Sequence, residues 1–436
     1  MQPQSSKAGF TQLIPFIIFI LIFLSSALFF QMQISAIFAC LIATICAFFT
    51  FLTPTSINKK IEIFVSGAAQ PTIIAMLYIF IFSSAFTYIL KIIGGTDAAI
   101  NVGLHIIPTA YLLPGLFIIV SIFATAIGTS MGTIAAFLPI AVGFSKELHI
   151  DPALIAAIVV SGAMLGDNLS IISDTTIAAT QTTRCSAKDK FRTNFLLVLP
   201  AFILTALVLL YTNLNLPALQ LAHYTISSLD LLKTSPYAIV LVLASLGLDV
   251  IAVLILGIIC AASIGIYLEK FNYLQATGLI AEGFSHNAGG VQEVIILSLF
   301  VSGLAAVVDY NGGIAYLLEK FSKRIENKGS AELHIVLLTF LVNAAIAINT
   351  IAILVTGPVA KKIGDKFSIP NYRIASIVDI TACICQGILP YAPQLLLAST
   401  LAGVSSLSII PYLYYQGFMA LVLVASIGKT YLKHQS

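Results

Sequence analysis

Apolar runs long enough to cross a bilayer recur along the whole chain, at 12–30, 34–53, 72–93, 106–127, 131–145, 153–182, 194–213, 236–268, 291–308, 333–356, 372–399 and 411–428. About 20 helical residues, rising about 1.5 Å each, cross a hydrocarbon core of about 30 Å. That core offers no water to unpaired backbone groups. The runs must therefore be helices, broken only where protein or a wet cavity satisfies the freed groups. Their hydrophobicity is continuous rather than alternating, which excludes a membrane β-barrel. The expected fold is an all-α polytopic membrane protein with about ten to thirteen crossings. Composition agrees, since 59% of the 436 residues are apolar and 9% are charged, against about 25% charged in a soluble domain.

The run from Leu13 to Phe30 has no A-x-A-like cleavage site and reads as an uncleaved first helix. The net charge of +3 is dispersed, so nucleic acid is not an expected partner. Cys40, Cys46, Cys185, Cys260, Cys383 and Cys385 include no C-x-x-C pair, and the histidines make no H-E-x-x-H pattern. Neither a disulfide framework nor a zinc site is expected, and no cofactor beyond a coupling ion.

Sliding the chain on itself by half its length aligns separated features. At an offset of 218, Phe82 meets Phe300, Ser84 meets Ser302 and Gly94-Gly95 meets Gly312-Gly313. At 219, Pro139 meets Pro358, Ala141 meets Ala360, Ile155-Ala156 meets Ile374-Ala375, and Ile158-Val159 meets Ile377-Val378. Chance identity between two Ile/Ala-rich stretches competes with an internal repeat, and charge separates the two. In inverted copies a cytoplasmic loop has an external counterpart, and Lys/Arg follow the cytoplasmic one. Loop 182–192 carries Arg184, Lys188, Lys190 and Arg192 against Asp189, while its counterpart 401–411 is uncharged. The bias reverses next door. Loop 142–154 has Lys146 against Glu147 and Asp151, whereas 361–373 has Lys361, Lys362, Lys366 and Arg373 against Asp365. Segment 94–107 holds only Asp97, whereas 312–328 holds Lys320, Lys323, Arg324 and Lys328 against Glu319 and Glu326. Two inverted-topology repeats are expected. An odd number of crossings must then separate the cytoplasmic loop 184–192 from run 291–308. Either 236–268 is a hairpin turning near Gly247-Leu248-Asp249, or 214–232 is an extra crossing.

Ionisable side chains within spanning segments cost about 2.5–3.5 kcal/mol each on insertion scales and mark function. Asp167, Asp174, Asp249, Asp309 and Asp379 qualify. The densest polar cluster is Gly166-Asp167-Asn168-Leu169-Ser170-Ile171-Ile172-Ser173-Asp174-Thr175-Thr176. On an unbroken helix Asp167, Ser170 and Asp174 form one polar stripe. Two carboxylates with amide and hydroxyl oxygens suit a hard cation such as Na⁺, by extension of the chemistry of oxygen-ligand sites. The same carboxylates can exchange that ion for a proton, which couples two ions at one place. A polar stripe that merely glues helices together is disfavoured by two acids within eight residues.

At the 219 offset Asp167 falls on Gln386, within Cys385-Gln386-Gly387-Ile388-Leu389-Pro390-Tyr391-Ala392-Pro393-Gln394. Gly387, Pro390 and Pro393 predict a break there, and freed carbonyls and half-helix ends can hold a cation or an anionic group. A proline kink without a ligand is the alternative. Asp379 lies one or two turns earlier and has Val160 as its counterpart, so its acid belongs to the second copy alone. Gly128-Thr129-Ser130-Met131-Gly132-Thr133 and the region of Asn349-Thr350 precede the two breaks and suit the tips of re-entrant hairpins.

GTSMGT followed by SGAMLGDNLSIISDTT resembles the signature of the NhaC-type Na⁺/H⁺ antiporter family, over roughly 60–430 of the chain. The resemblance implies secondary transport across the cell inner membrane by two inverted repeats with paired hairpins, and an elevator-like transport domain within a homodimeric scaffold. It implies that Asp167, Ser170, Ser173, Asp174, Thr175 and Thr176 form the ion- or substrate-binding segment; with the residue chemistry above, these and Asn168 are expected to bind the ion or proton, with Na⁺ at Asp167 and Asp174. Gly128, Thr129, Ser130, Asn349, Thr350, Asp379, Gln386, Pro390, Tyr391 and Gln394 would then face substrate. Segments 1–105 and 193–332 would form the scaffold, and 106–192 and 333–436 the transport domain. Family members often carry Lys, Pro and Trp where this chain has Asn168, Ile171 and Met131. This variant is similar to an amino-acid-permease-like branch of the family. The expected function is Na⁺- or H⁺-coupled transport of a small amino acid, with Na⁺/H⁺ antiport lacking organic cargo as the alternative. An intramembrane aspartyl protease is disfavoured because residues 163–167 read Ala-Met-Leu-Gly-Asp, without the G-x-G-D context. A channel would differ from a carrier in flux that neither saturates nor shows counterflow.

Overall fold

The computed structural model describes residues 9–29, 36–49, 55–106, 109–171, 173–216, 227–246, 248–285, 291–321, 325 and 327–432. All regular structure among those residues is helical, with no strand. The first half runs α1 (Ile14–Phe29), α2 (Ala36–Phe49), α3 (Ile57–Ala68), α4 (Pro71–Ile92), α5 (Gly95–Ile106), α6 (Leu112–Ile127), α7 (Ser130–Glu147), α8 (Pro152–Leu169), α9 (Asp174–Thr183) and α10 (Ala187–Leu214). The second half runs α11 (Ser228–Ser245), α12 (Val250–Tyr267), α13 (Tyr273–Ser285), α14 (Val291–Tyr310), α15 (Gly313–Phe321), α16 (Lys328–Ile346), α17 (Asn349–Lys366), α18 (Asn371–Ile388), α19 (Pro393–Ala402), the single turn α20 (Ser406–Ile409) and α21 (Tyr414–Leu432).

The two halves share one succession of elements. α17, α18 and α19 begin and end 219 positions after α7, α8 and α9. Left-handed residues keep the same interval: Gly128 (φ 77°) with Ala347 (φ 57°), His149 (54°) with Ser368 (53°), and Arg184 (55°) with Gly403 (67°). Left-handed backbone costs a residue with a Cβ roughly 1–2 kcal/mol, so its recurrence at matched positions reflects a shared turn geometry. Packing is reciprocal as well. α9 lies on α17 while α19 lies on α7, and α4 lies on α12 while α14 lies on α2.

Local chemistry sets the breaks. In the second half Leu389 and Ala392 each precede a proline, which disfavours helical ψ at both, and both are extended. Pro393 then opens α19, where its missing N–H costs nothing. Gly387 stays within α18, so the break falls later than a glycine-centred interruption. The corresponding break in the first half, between α8 and α9, contains no proline. Ser170 is extended, and the Ser173 hydroxyl caps α9 by accepting from Thr176 N at 3.2 Å. Because α8 stops at Leu169, Asp167, Ser170 and Asp174 do not form the continuous helical stripe expected above. Run 236–268 is two helices, α11 and α12, parted at residues 246–249. Gly247, at the expected turn, lies outside the described residues, as do Lys323, Arg324, Glu326, His223, His286 and His434.

By length and composition, six helical segments among the described residues can cross a bilayer, or seven with Ser406–Tyr412 and Tyr414–Lys429, bent by 56°, counted as one. Other apolar runs form shorter helices, including Leu112–Ile127 and Ile295–Tyr310. The spans differ sharply in what surrounds them. The α8–α9 and α18–α19 windows are 88% and 89% buried within the protein, against 28% for α10. α10 instead exposes Leu196, Leu207 and Tyr211 in the manner of a lipid-facing helix, and the broken helices are sheathed by protein.

α8 crosses α6 at Gly166, where a Cβ would collide with Ala124 Cβ and lie 2.6 Å from the Ala124 carbonyl carbon. Gly166→Val is expected to destabilise the protein by about 1–3 kcal/mol through overpacking, read as a lower unfolding midpoint in detergent. Gly417→Ala, which meets nothing within 4 Å, is expected to leave that midpoint unchanged.

Candidate functional site

Gly128 closes α6 in the left-handed conformation and Thr129 is extended, so α7 starts afresh at Ser130. The matching junction is Ala347, Ile348 and then Asn349, where α17 begins. Both arms of each pair pack on the broken helix of their own half, α6 and α7 on α8, and α16 and α17 on α18. A cavity of about 130 Å³ opens where these junctions meet the breaks. Its polar wall comprises Gly128, Thr129, Ser130, Asp167, Asp174, Thr175, Asn349, Thr350, Gln386 and Gln394, and Ala75, Met76 and Ile79 of α4 form an apolar side. One cavity thus gathers residues from both halves that are more than 260 positions apart.

A polar chain runs through its wall. Gln386 Nε2 donates to the Ala347 carbonyl and to Gln394 Oε1, both at 2.8 Å. Gln394 Nε2 donates to Ser130 Oγ at 3.2 Å, and Ser130 Oγ donates to Asp167 Oδ2 at 3.3 Å. Thr175 Oγ1 donates to the other carboxylate oxygen at 3.3 Å. Asp167 is 4% exposed, yet these two hydroxyl bonds are long for O–H donors, which prefer about 2.7–2.8 Å. Its carboxylate therefore keeps capacity for a cation. Asp174 is exposed at the first position of α9, where the helix end favours negative charge.

The ends of four helices contribute to this wall: the N-terminal turns of α7, α9, α17 and α19 bring Ser130, Asp174, Asn349 and Gln394 to it. Each N-terminus carries roughly half a positive charge, so the cavity combines two carboxylates with several partial positive charges.

Other expected site residues lie behind the cavity. Asn168 donates to the Tyr415 hydroxyl at 2.9 Å, and Thr176 Oγ1 donates to the Ser170 carbonyl at 2.7 Å. Ser173 is fully buried, with its hydroxyl 2.7 Å from Thr175 Oγ1. Pro390 sits in the break itself. Tyr391 donates to the Ala344 carbonyl at 2.8 Å and packs edge-on against Phe16 and Phe19. Asp379 is 0% exposed and paired with Lys190 at 2.7 Å, and Lys190 also donates to Thr176 Oγ1. Asp249 caps α12 by accepting from Ile251 N at 2.9 Å, and Asp309 is exposed near the end of α14.

Sequence reasoning missed Lys190 and Asn194. Lys190 counts there as a cytoplasmic loop charge, but it is 1% exposed inside α10. Arg184, Lys188 and Arg192 remain exposed on that segment, so its basic bias survives. Asn194 Nδ2 bridges the Asn168 carbonyl at 2.7 Å and Asp379 Oδ2 at 2.9 Å. The available signal was the spacing of Lys190 and Asn194, four apart and so on one face of a helix.

The Na⁺/H⁺ antiporter family model matches the chain twice, at residues 5–214 and 212–432. The chain belongs to the Na⁺/H⁺ antiporter family. It is similar to the malate-2H⁺/Na⁺-lactate antiporter of Bacillus subtilis, 22% identical over 363 residues that cover 77% of each chain. The arginine/ornithine antiporter ArcD of Halobacterium salinarum is 24% identical, over 75% of this chain and 73% of its own. The Na⁺/H⁺ antiporter NhaC of Alkalihalophilus pseudofirmus is 23% identical, over 74% and 75%. Family membership and the apolar helices make the protein a multi-pass transporter of the cell membrane.

Gln394→Leu removes the bond to Ser130 and leaves the buried Gln386 amide short of an acceptor. The variant is expected to lose about 1–3 kcal/mol of stability, measured as an earlier denaturation midpoint in detergent. An unchanged midpoint would detach the polar chain from the stability of the site.

Proposed function

We propose that the protein is a Na⁺- and/or H⁺-coupled secondary active transporter of a small amino acid. The observation that carries this reading is the cavity, in which Asp167 and Asp174 face the N-terminal ends of α7, α9, α17 and α19. A zwitterion needs both signs of charge within a short distance. The helix ends suit its carboxylate, and the acids suit its ammonium group and the coupling cation. The modest volume favours a compact cargo. Relatives named for arginine/ornithine and for malate and lactate exchange are consistent with an organic substrate in this frame.

A second reading, Na⁺/H⁺ exchange without organic cargo, is favoured by the Asp167–Asp174 pair on one small cavity and by relatives named Na⁺/H⁺ antiporters. In both readings the acids bind the ion, and in the first Ser130, Asn349, Thr350, Gln386 and Gln394 also orient the cargo.

The halves act as inverted copies that expose one site to the two sides in turn. The reversed charge bias of the matched loops and the reciprocal packing of α9 on α17 and α19 on α7 support this reading. Segments 106–192 and 333–436 form the moving unit, and 1–105 and 193–332 the scaffold of a homodimer, in an elevator-like cycle.

Purified protein reconstituted into proteoliposomes is expected to accumulate one small amino acid in response to an imposed Na⁺ or H⁺ gradient, with saturation and counterflow. Gradient-driven Na⁺/H⁺ exchange with no amino acid taken up would select the second reading. Asp174→Asn is expected to abolish the Na⁺ dependence of transport, and an unchanged dependence would remove Asp174 from the ion site.

A further inference from the structure

Asp167 also belongs to a buried charge cluster that reaches back from the cavity wall and whose other members, Lys190, Asn194 and Asp379, neither transport reading uses. Asp167 stands near the end of α8 and Asp379 in the middle of α18. Cys383, one turn after Asp379, places its Sγ 4.0 Å from Asp167 Oδ2. Asn194 joins the two helices by donating to the Asn168 carbonyl and to Asp379 Oδ2. Lys190 closes the group from α10 with its ion pair to Asp379. The charged and titratable groups facing one another here are Asp167 from α8, Lys190 from α10, Asp379 and Cys383 from α18, and Tyr415 from α21. Asp174 stands apart, exposed on the cavity wall.

The charges of this cluster do not balance. Two carboxylates against one ammonium leave a single negative charge among apolar helices, where an uncompensated charge is costly. Its hydrogen bonds are short of donors in the same sense. Asn168 Oδ1, Asn194 Oδ1 and Asp379 Oδ1 are buried acceptors without a partner, on side chains no more than 1% exposed. One missing positive charge, beside three buried acceptors that lack a donor, is what one monovalent cation supplies.

We infer that Lys190 is a fixed internal counter-cation that limits the buried Asp167–Asp379 cluster to one exchangeable monovalent cation, and so sets the ion stoichiometry of the transporter. The inference rests on the cation-coupled reading above and adds what determines the count. An ammonium on a side chain occupies one of the two places that the carboxylates create. The cation bound on the cavity side, at Asp167 and Asp174 in the reading above, takes the other.

The test is equilibrium binding of ²²Na⁺ to the purified full-length chain in detergent, counted per chain. The wild type is expected to bind one Na⁺, and Lys190→Arg also one. Lys190→Gln, with two uncompensated carboxylates, is expected to bind two. Asp379→Asn, with Asp167 balanced by Lys190, is expected to bind Na⁺ at least tenfold more weakly. The double variant Lys190→Gln/Asp379→Asn, left with Asp167 alone, is expected to return to one. The single Asp379 variant and the double variant carry the test by themselves where Lys190→Gln does not fold. One Na⁺ in the wild type with an unchanged count in Lys190→Gln, or a double variant as weak as Asp379→Asn, would overturn the role of Lys190 and leave cation coupling standing. A wild type that binds no Na⁺ would instead overturn the Na⁺ reading itself, and the inference with it.

Discussion

A helix that stops inside a bilayer frees backbone carbonyls and amides where no water can reach them, and every interruption in this protein is organised around that constraint. The structure meets it with side chains brought from elsewhere. The Ala347 carbonyl at the α16–α17 junction receives Gln386, and the Ala344 carbonyl in the last turn of α16 receives Tyr391. In the other half the Ser170 carbonyl receives Thr176 and the Asn168 carbonyl receives Asn194. A buried polar group left unpaired costs about 1–3 kcal/mol, so these bonds are conditions for placing two broken helices at the centre of the fold. The high burial of α8–α9 and α18–α19 follows, because only protein can supply such partners.

The same solution makes the cavity polar. Ending four helices near one place leaves hydroxyl, amide and carboxylate groups facing a common space, with helix ends adding partial charge. Reciprocal packing of the halves brings Gln394 of one against Ser130 of the other, and neither half builds the site alone. That the Na⁺/H⁺ antiporter family model matches each half separately agrees with two similar units combined around one shared centre.

Buried charge is the second organising force. The Lys190–Asp379 pair, 1% and 0% exposed, holds α10 to α18. Removing one partner of such a pair strands the other, at a typical cost of about 3–5 kcal/mol. The Arg373–Glu332 pair, doubly hydrogen-bonded at 3.1 and 2.9 Å, ties α18 to α16 in a related way. These two links fix the start and the middle of α18 relative to its neighbours.

Much of this was legible in the sequence, for reasons that are local. Continuous apolar runs dictate helices in lipid, Pro390 and Pro393 forbid helical backbone at the residues before them, and matched Gly and Pro positions expose the repeat. Asp167, Ser130, Gln386 and Gln394 stood out as polar groups in apolar surroundings. The break after Leu169 was less legible in position, because no proline marks it and a serine cap with tertiary packing decides it. Lys190 was legible only as one of two polar residues four apart on a helix face, with nothing to name its partner. A lysine near a helix start looks the same whether it faces water or a carboxylate 189 positions away. Hydrophobicity and backbone chemistry act between neighbours in the chain, and so the sequence by itself determined the helices, most of the interruptions and the duplication. Which polar groups satisfy one another across helices, and therefore which acids stay open to an ion, depends on contacts between distant segments, and only the tertiary structure decided that.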